Sequence, residues 1–295
     1  MRVSSSSAYL QTVQGLGGAL GRVQDVSRQL SSGKRINSWS EDAPSATAAG
    51  RYRAQEADWE SYRRVATDAR GWLDTADGAL QSMSTLMSRV RSLATSAVNG
   101  GLSADGREAI AAEIDQLRSE LKDLASTRHL GRPLFAGFGQ AALATAPDGT
   151  VSYAGDAGVV QRQVSPTITL QINVDGAELL GFSAGEDAFA TLTSLAAAVR
   201  AGDATATRTS SVAVDRGQDR VLRALAQVGA TANRVAAADS AGAVAGEDLA
   251  ARRTELEDVD LASAVLTLNS AQAGYEAALG AASRANLPSL ATFLR

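Results

Sequence analysis

The sequence predicts a mainly α-helical protein with a small β insert. Within it, a long antiparallel helical hairpin is joined by a coiled coil of the N- and C-terminal helices. Three observations lead there. Apolar residues recur at spacings of three and four over most of both halves of the chain. A stretch rich in Gly, Pro, Thr and Val at 130–183 separates the halves and alternates instead. The apolar residues, 45% of the 295, are mostly Ala, Leu and Val, and aromatic residues are only 4%. Such a composition suits thin cores between close-packed helices better than a thick globular core.

The first helix begins near residue 8 and carries Leu10, Val13, Leu16, Leu20, Val23, Val26 and Leu30 on one face. It also contains Gly15, Gly17, Gly18 and Gly21. An interior glycine costs up to about 1 kcal/mol relative to Ala, so this helix is marginal alone and needs a partner surface. Gly33 ends it as a C-cap residue. The stretch SSGKRINSWSEDAPSA at 31–46 then leaves the helix. Asp42 or Ser40 can cap the next one, and Pro44 falls in its first turn, where a missing N–H is harmless.

The second helical stretch runs from about 45 to 98 through Tyr62, Val65, Ala69, Trp72, Ala76, Leu80, Met83, Met87, Val90, Ala94 and Ala97. At ~1.5 Å per residue it is roughly 80 Å long. Asn99-Gly100-Gly101 breaks it, and Ser103 caps a third helix with the stripe Ile110, Ile114, Leu117, Leu121 and Leu124. Two long helices joined by a tight turn make the antiparallel hairpin.

Within the insert, Ile168, Leu170, Ile172 and Val174 alternate and are followed by Asp175-Gly176, which predicts strands and turns. A short helix follows near 186–200. The helical pattern returns at 207–285 through Val214, Val221, Leu225, Val228, Ala232 and Val235, with an expected interruption at 242–246 and resumption at Leu249, Leu256 and Val259. The last stripe is Leu261, Val265, Leu268, Tyr275, Leu279 and Ala282, ending before Pro288. The two terminal stripes are narrow and alike, so they are expected to pack on one another. The chain divides accordingly into 1–45, a terminal core helix and connecting segment; 46–138, a helical hairpin; 139–205, a β-containing outer domain; 206–257, a return helix; and 258–295, a second terminal core helix.

Net charge is −4 and the 28 basic residues form no long run, which argues against nucleic acid and anionic membrane as partners. The chain has no cysteine, which excludes a disulfide scaffold and a thiolate metal site. The N-terminus lacks the apolar core of a cleavable secretory signal, and no window approaches the ~18 apolar residues of a membrane span.

Motifs that could carry chemistry have plainer readings. Gly181-Phe182-Ser183-Ala184-Gly185 matches a nucleophile elbow, but the one histidine, His129, precedes the serine, and no strand–elbow–helix unit surrounds it. It reads as a turn, as does His129 beside Leu130-Gly131. The run from Gly15 to Gly21 lies inside a helical stripe and lacks the strand a dinucleotide loop requires. Glu255, Glu257, Asp258 and Asp260 form the one dense acidic cluster, read as a solvated face with Asp260 as a helix cap. No catalytic, cofactor or metal site is expected.

The segment SSGKRINSWSEDAPSA resembles one found in the bacterial flagellin family, an SSGxRIN run followed by an acidic pair and a small-residue helix start. The stretch from Trp72 to Leu80 (WLDTADGAL), Asn99-Gly100 and the stretch from Gly131 to Gly137 (GRPLFAG) resemble that family's hook-associated branch. Leu256-Glu257-Asp258-Val259-Asp260 resembles the acidic motif before the last helix. The ending from Pro288 to Arg295 (PSLATFLR) is similar to the SLLDFLR-like ending of hook–filament junction members. The resemblance covers roughly 1–140 and 210–295. Trp39 and Ser40 depart from the common Pro-Ser, and Pro133 stands where an aromatic is usual.

The resemblance implies a structural, non-catalytic protein with a flagellin-like fold, an adaptor joining hook to filament by axial self-assembly; the alternative is the filament subunit itself. It implies export through the flagellar type III channel without a cleavable signal, to the extracellular flagellum. Implied partners are a ring of copies, a hook-associated neighbour on the hook side, flagellin on the filament side and an export chaperone. Terminal segments of such proteins order on assembly. The two terminal stripes above become the assembly interface, and Ser32, Gly33, Lys34, Arg35, Ile36, Asn37, Glu41, Asp42 and Pro44 become a spoke between inner and outer helical layers.

Overall fold

The computed structural model describes residues 5–99 and 101–285. Its helices are α1 (Ser5–Ser32), α2 (Ala43–Asn99), α3 (Ala104–Ala125), α4 (Gly176–Leu179), α5 (Ala188–Ala201), α6 (Ala204–Glu257) and α7 (Leu261–Ala285). Between α3 and α4 lie β1 (Arg128–His129), β2 (Arg132–Pro133), β3 (Leu143–Thr145), β4 (Val151–Tyr153), β5 (Gln161–Gln163) and β6 (Thr169–Gln171). The strands form three separate antiparallel pairs, β1–β2, β3–β4 and β5–β6. No described helix is long and apolar enough to cross a membrane. The expected mainly helical fold with a small β insert is present. Two compact units result: one takes α1, α2 to Asp58, α6 from Ala245 and α7, and the other runs from Trp59 to Val244.

The core of the second unit is organised by α2. Trp72, Ala76, Leu80, Met83, Met87 and Val90 recur at three and four and are buried with Leu73, in one cluster with Ile114 and Leu121 of α3, Leu192, Leu195 and Val199 of α5, and Val214, Val221, Val228 and Val235 of α6. Buried alanines at 66, 69, 76, 79 and 94 interleave with them and allow the helices to approach closely. Phe135, Leu170 and Ile172 bring the β region into the same cluster. Ion pairs line its rim: Arg89 to Glu113 at 2.6 Å ties α2 to α3, and Arg63 to Asp239 at 3.0 Å and Arg91 to Asp215 at 3.2 Å tie α2 to α6. Later residues of α2 meet earlier residues of α6, so these stretches run antiparallel.

Local chemistry sets the boundaries. The Ser103 hydroxyl accepts the Gly106 N–H at 3.2 Å and starts α3, as its position predicts. Asp187 caps α5, and Gly202, at φ +73°, closes it in the left-handed region. The Asn99-Gly100-Gly101 break includes Gly100, outside the described residues, as is the 288–295 ending; α2 ends at Asn99.

Three expectations fail here for identifiable reasons. Asp175-Gly176 is a helix start instead of the expected turn: the Asp175 carboxylate accepts the Ala177 N–H at 2.8 Å and caps α4. The alternation from Ile168 to Val174 yields strand only at Thr169–Gln171, because the buried Asn173 side chain replaces the ladder, accepting from Val160 N–H and donating to Gly158 carbonyl, both at 2.8 Å. Helix α6 continues through Gly242 and Gly246 instead of breaking. Gly242 is a contact residue: a Cβ there would lie 3.2 Å from Arg63 Cγ and 3.4 Å from Trp59 Cε3 of α2.

Gly242→Leu should therefore lower stability by about 1–3 kcal/mol through overpacking. Gly229→Ala, whose Cβ would meet nothing within 4 Å, should raise it by up to about 1 kcal/mol. Urea unfolding of the two variants checks both signs.

Candidate assembly surface at the terminal helices

Helices α1 and α7 pack on each other. The end of α1 meets the start of α7, since Gly33 carbonyl accepts the Val259 N–H at 3.0 Å and Lys34 bridges to Asp258, so the pair is antiparallel. On α1 the covered positions are Thr12, Leu16, Ala19, Val23, Val26 and Leu30; on α7 they are Ala264, Leu268, Ala271, Tyr275, Ala278 and Ala282. Both series alternate four and three, the heptad spacing of a two-stranded seam. Large residues on α1 face mostly alanines on α7, which permits close approach.

The seam divides the two predicted stripes. Leu16, Val23, Val26 and Leu30 of the first, and Leu268 and Tyr275 of the second, are half-buried in it. Leu10, Val13 and Leu20, with Leu261, Val265 and Leu279, lie beside it and are exposed. Leu266, absent from the predicted set, is 71% exposed. Thr12, Ala19, Ala264, Ala271 and Ala278 were also missed, because apart from Ala282 the stripes were traced through large apolar residues. The signal was the regular four-three spacing of the small ones.

The connecting segment is held by hydrogen bonds within its own unit. Gly33, at φ +70°, ends α1, and the Ser32 hydroxyl accepts the Lys34 N–H at 3.1 Å. Arg35 donates its backbone N–H to Glu257 carbonyl at 2.6 Å and its guanidinium Nη2 to Leu256 carbonyl at 2.7 Å, while Nη1 reaches Asp42 at 3.1 Å. Asn37 donates its side-chain amide to Lys34 carbonyl at 3.0 Å and its N–H to the Glu41 carboxylate at 2.8 Å. Ile36 is half-buried. Asp42 caps α2, accepting the Ser45 N–H at 3.1 Å, and Pro44 sits in the first turn. Hydrogen bonds from Ser45, then Arg35, hold the Asp42 carboxyl below its ordinary range.

Glu257 is the buried centre of this joint, 3% exposed, and not part of a solvated face. Its carboxylate meets Lys34 Nζ at 3.1 Å from the connecting segment, Arg53 from α2, and Arg253 at 3.5 Å from its own helix. Arg253 also pairs with Glu56 of α2 at 2.9 Å. Burial pushes the Glu257 carboxyl up, but hydrogen bonds and charges from Arg53 and Lys34 outweigh it and hold the group below its ordinary value. Asp260 caps α7 as expected, accepting the Ala262 N–H at 3.0 Å and the Ser263 hydroxyl at 2.7 Å.

The remaining motifs take the plainer readings. Ser183 lies in a turn and donates its N–H to Ala177 carbonyl at 3.2 Å. His129 Nδ1 is 2.9 Å from the Thr75 hydroxyl, at a hairpin whose tip, Leu130-Gly131, has φ +48° and +80°. Gly15, Gly17, Gly18 and Gly21 lie within α1, and a Cβ at any of them would meet nothing within 4 Å. Among the described residues no group of acidic or histidine side chains could hold a metal ion.

Glu257→Gln should destabilise the joint by about 1.5–3 kcal/mol, the worth of hydrogen bonds to a charged group. Because folding lowers this carboxyl's pKa, its stabilisation is fully present above the ordinary glutamate range and is lost as pH falls through the lowered value. Urea unfolding of both proteins at neutral pH and at pH ~3 should show the difference shrinking on acidification.

Comparison with known proteins supports one family. The model of the bacterial flagellin N-terminal helical region matches residues 3–139. Flagellar hook-associated protein 3 of Escherichia coli is 27% identical, over 94% of this chain and 96% of the relative. The Salmonella typhimurium protein of that name is 25% identical over 94% of each. The crystal structure of Xanthomonas campestris FlgL shares the fold, with a TM-score of 0.60 at 19% identity over 67% of this chain and 97% of that one. Its N-terminal half thus matches the flagellin N-terminal helical region, and over nearly its whole length the chain is similar to flagellar hook-associated protein 3.

Proposed function

We propose that this chain is a structural, non-catalytic protein of the flagellum that joins the hook to the filament by axial self-assembly. The observation that carries the reading is the uncovered apolar surface beside the α1–α7 seam, where Leu10 and Leu261 are each 58% exposed. A lone two-helix seam leaves that surface in water, and neighbouring copies would bury it. A Cβ at Gly15, Gly17, Gly18 or Gly21 of α1 would meet nothing within 4 Å among the described residues, so these glycines weaken the helix without a packing need for them. Both traits suit terminal segments that complete their structure on assembly.

In this reading 1–45 and 258–295 form the assembly core, 46–138 and 206–257 the surrounding helical layer, and 139–205 an outer domain. The partners are a ring of copies, a hook-associated neighbour on one side and flagellin on the other, with a chaperone during type III export to the cell exterior. The match to a flagellin N-terminal region supports a second reading, the filament subunit itself. Purified chain added to isolated hooks and viewed by electron microscopy separates them: an adaptor stops at a short collar, whereas a filament subunit grows long filaments. Failure to add at all overturns both.

The seam geometry yields a finer test. Leu20 is exposed beside the seam and Leu268 is half-buried within it. Leu20→Asp should leave the α1–α7 pair of the free chain unchanged yet stop addition to hooks. Leu268→Asp should loosen the pair itself, since it sets an unpaired carboxylate against the apolar seam, where it is partly desolvated. Circular dichroism of the free chain, together with sedimentation with hooks, distinguishes the two.

A further inference from the structure

We propose that Trp39 and the cleft beside it receive a second copy of this chain. The inference rests on the self-assembly proposed above and assigns to it a named residue and cleft.

Trp39 is 65% exposed. It is the second residue of a turn in which Glu41 donates its N–H to Ser38 carbonyl at 3.1 Å, braced by the Ser38 and Ser40 hydroxyls 2.9 Å apart. One edge of the ring rests on α2 at Gly50, where an added Cβ would lie 3.6 Å from Cη2. The rest of the indole faces solvent. A large aromatic side chain whose geometry is already paid for in the free chain loses little entropy on binding, which makes it a strong interface anchor.

Beside the ring, Ile36, Ala46, Lys34, Arg53 and Glu257 line a cleft of about 230 Å³. Its charge is unequal. The ammonium of Lys34 and the guanidinium of Arg53 are 41% and 52% exposed, whereas the carboxylate they share is buried. The rim is therefore positive, and Asn37 and Ser38 complete a mostly polar lining, which fits a carboxylate set beside the exposed Trp39 ring. A second copy offers that chemistry: Glu255 and Glu276 are exposed and form no ion pair among the described residues, and Leu261 and Leu266 of the same unit are exposed as well.

The test follows Trp39 emission, isolated as the difference between the wild-type chain and Trp39→Phe, free and after sedimentation with isolated hooks. The expected result is a blue shift and a severalfold fall in acrylamide quenching that grow with the number of copies per hook. Trp39→Ala should raise the concentration for half-maximal addition about tenfold or more, with Trp39→Phe restoring most of the loss and the free-chain circular dichroism unchanged. Trp39 as quenchable after addition as before, or Trp39→Ala adding at wild-type concentration, overturns this inference and leaves the adaptor reading intact. Protection already complete at about one copy per hook assigns the cleft to a hook-side protein instead of a second copy. A wild-type chain that never adds to hooks overturns both.

Discussion

The structure of the terminal unit depends on a seam one heptad face wide. Two helices in contact along a single four-three series can cover only the positions on that series and partly those beside it. The apolar residues of α1 and α7 exceed that allowance. Leu16, Val23 and Val26 find cover, while Leu10, Val13 and Leu20, a few residues away on the same helix, do not. Alanine on the α7 side brings the helices close but contributes little buried area of its own. The unit is thus held by a modest contact and carries an unspent apolar surface, the physical condition for further association.

A charged joint fixes where that seam begins. Glu257 draws Lys34, Arg53 and Arg253 to one buried carboxylate, and the backbone bonds of Gly33 and Arg35 to Val259 and Glu257 set the register of the strand-like crossing. A buried carboxylate is a poor source of net stability, since desolvation offsets much of the attraction. Its value lies in geometry, because Lys34 anchors the 33–42 segment to a carboxylate that also draws in Arg53 of α2 and Arg253 of α6. The Asp42 and Asp260 caps then start α2 and α7 from that fixed point. The sharpest local chemistry of this unit serves positioning.

Much of the fold was legible because helical periodicity and capping are local. The stripes of α2 and α3, the Ser103 and Asp260 caps and the Gly33 stop depend on residues within a turn or two of one another. What was not legible depended on partners distant in sequence. Gly242 looks like a helix breaker until Trp59 and Arg63 of α2 occupy the space a side chain would fill. Asn173 reads as a strand residue until its side chain bonds the Val160 and Gly158 backbone. Glu257 belonged to an acidic run that looked solvated, and only the approach of Lys34 and Arg53 makes it a buried centre. In the terminal helices, Ala19 and Ala264 mark the seam better than Leu20 and Leu261, because large apolar residues occupy both covered and uncovered faces.

The central claim is that the α1–α7 pair is incomplete in a single chain and is finished by its neighbours. Amide hydrogen exchange resolved along the chain tests it most directly, on the dilute protein and after addition to hooks. The account predicts fast exchange in α1 and α7 of the dilute chain beside slow exchange in the core stretch of α2, with the terminal amides slowing by orders of magnitude on addition. Terminal helices as protected in the dilute chain as the α2 core would contradict it.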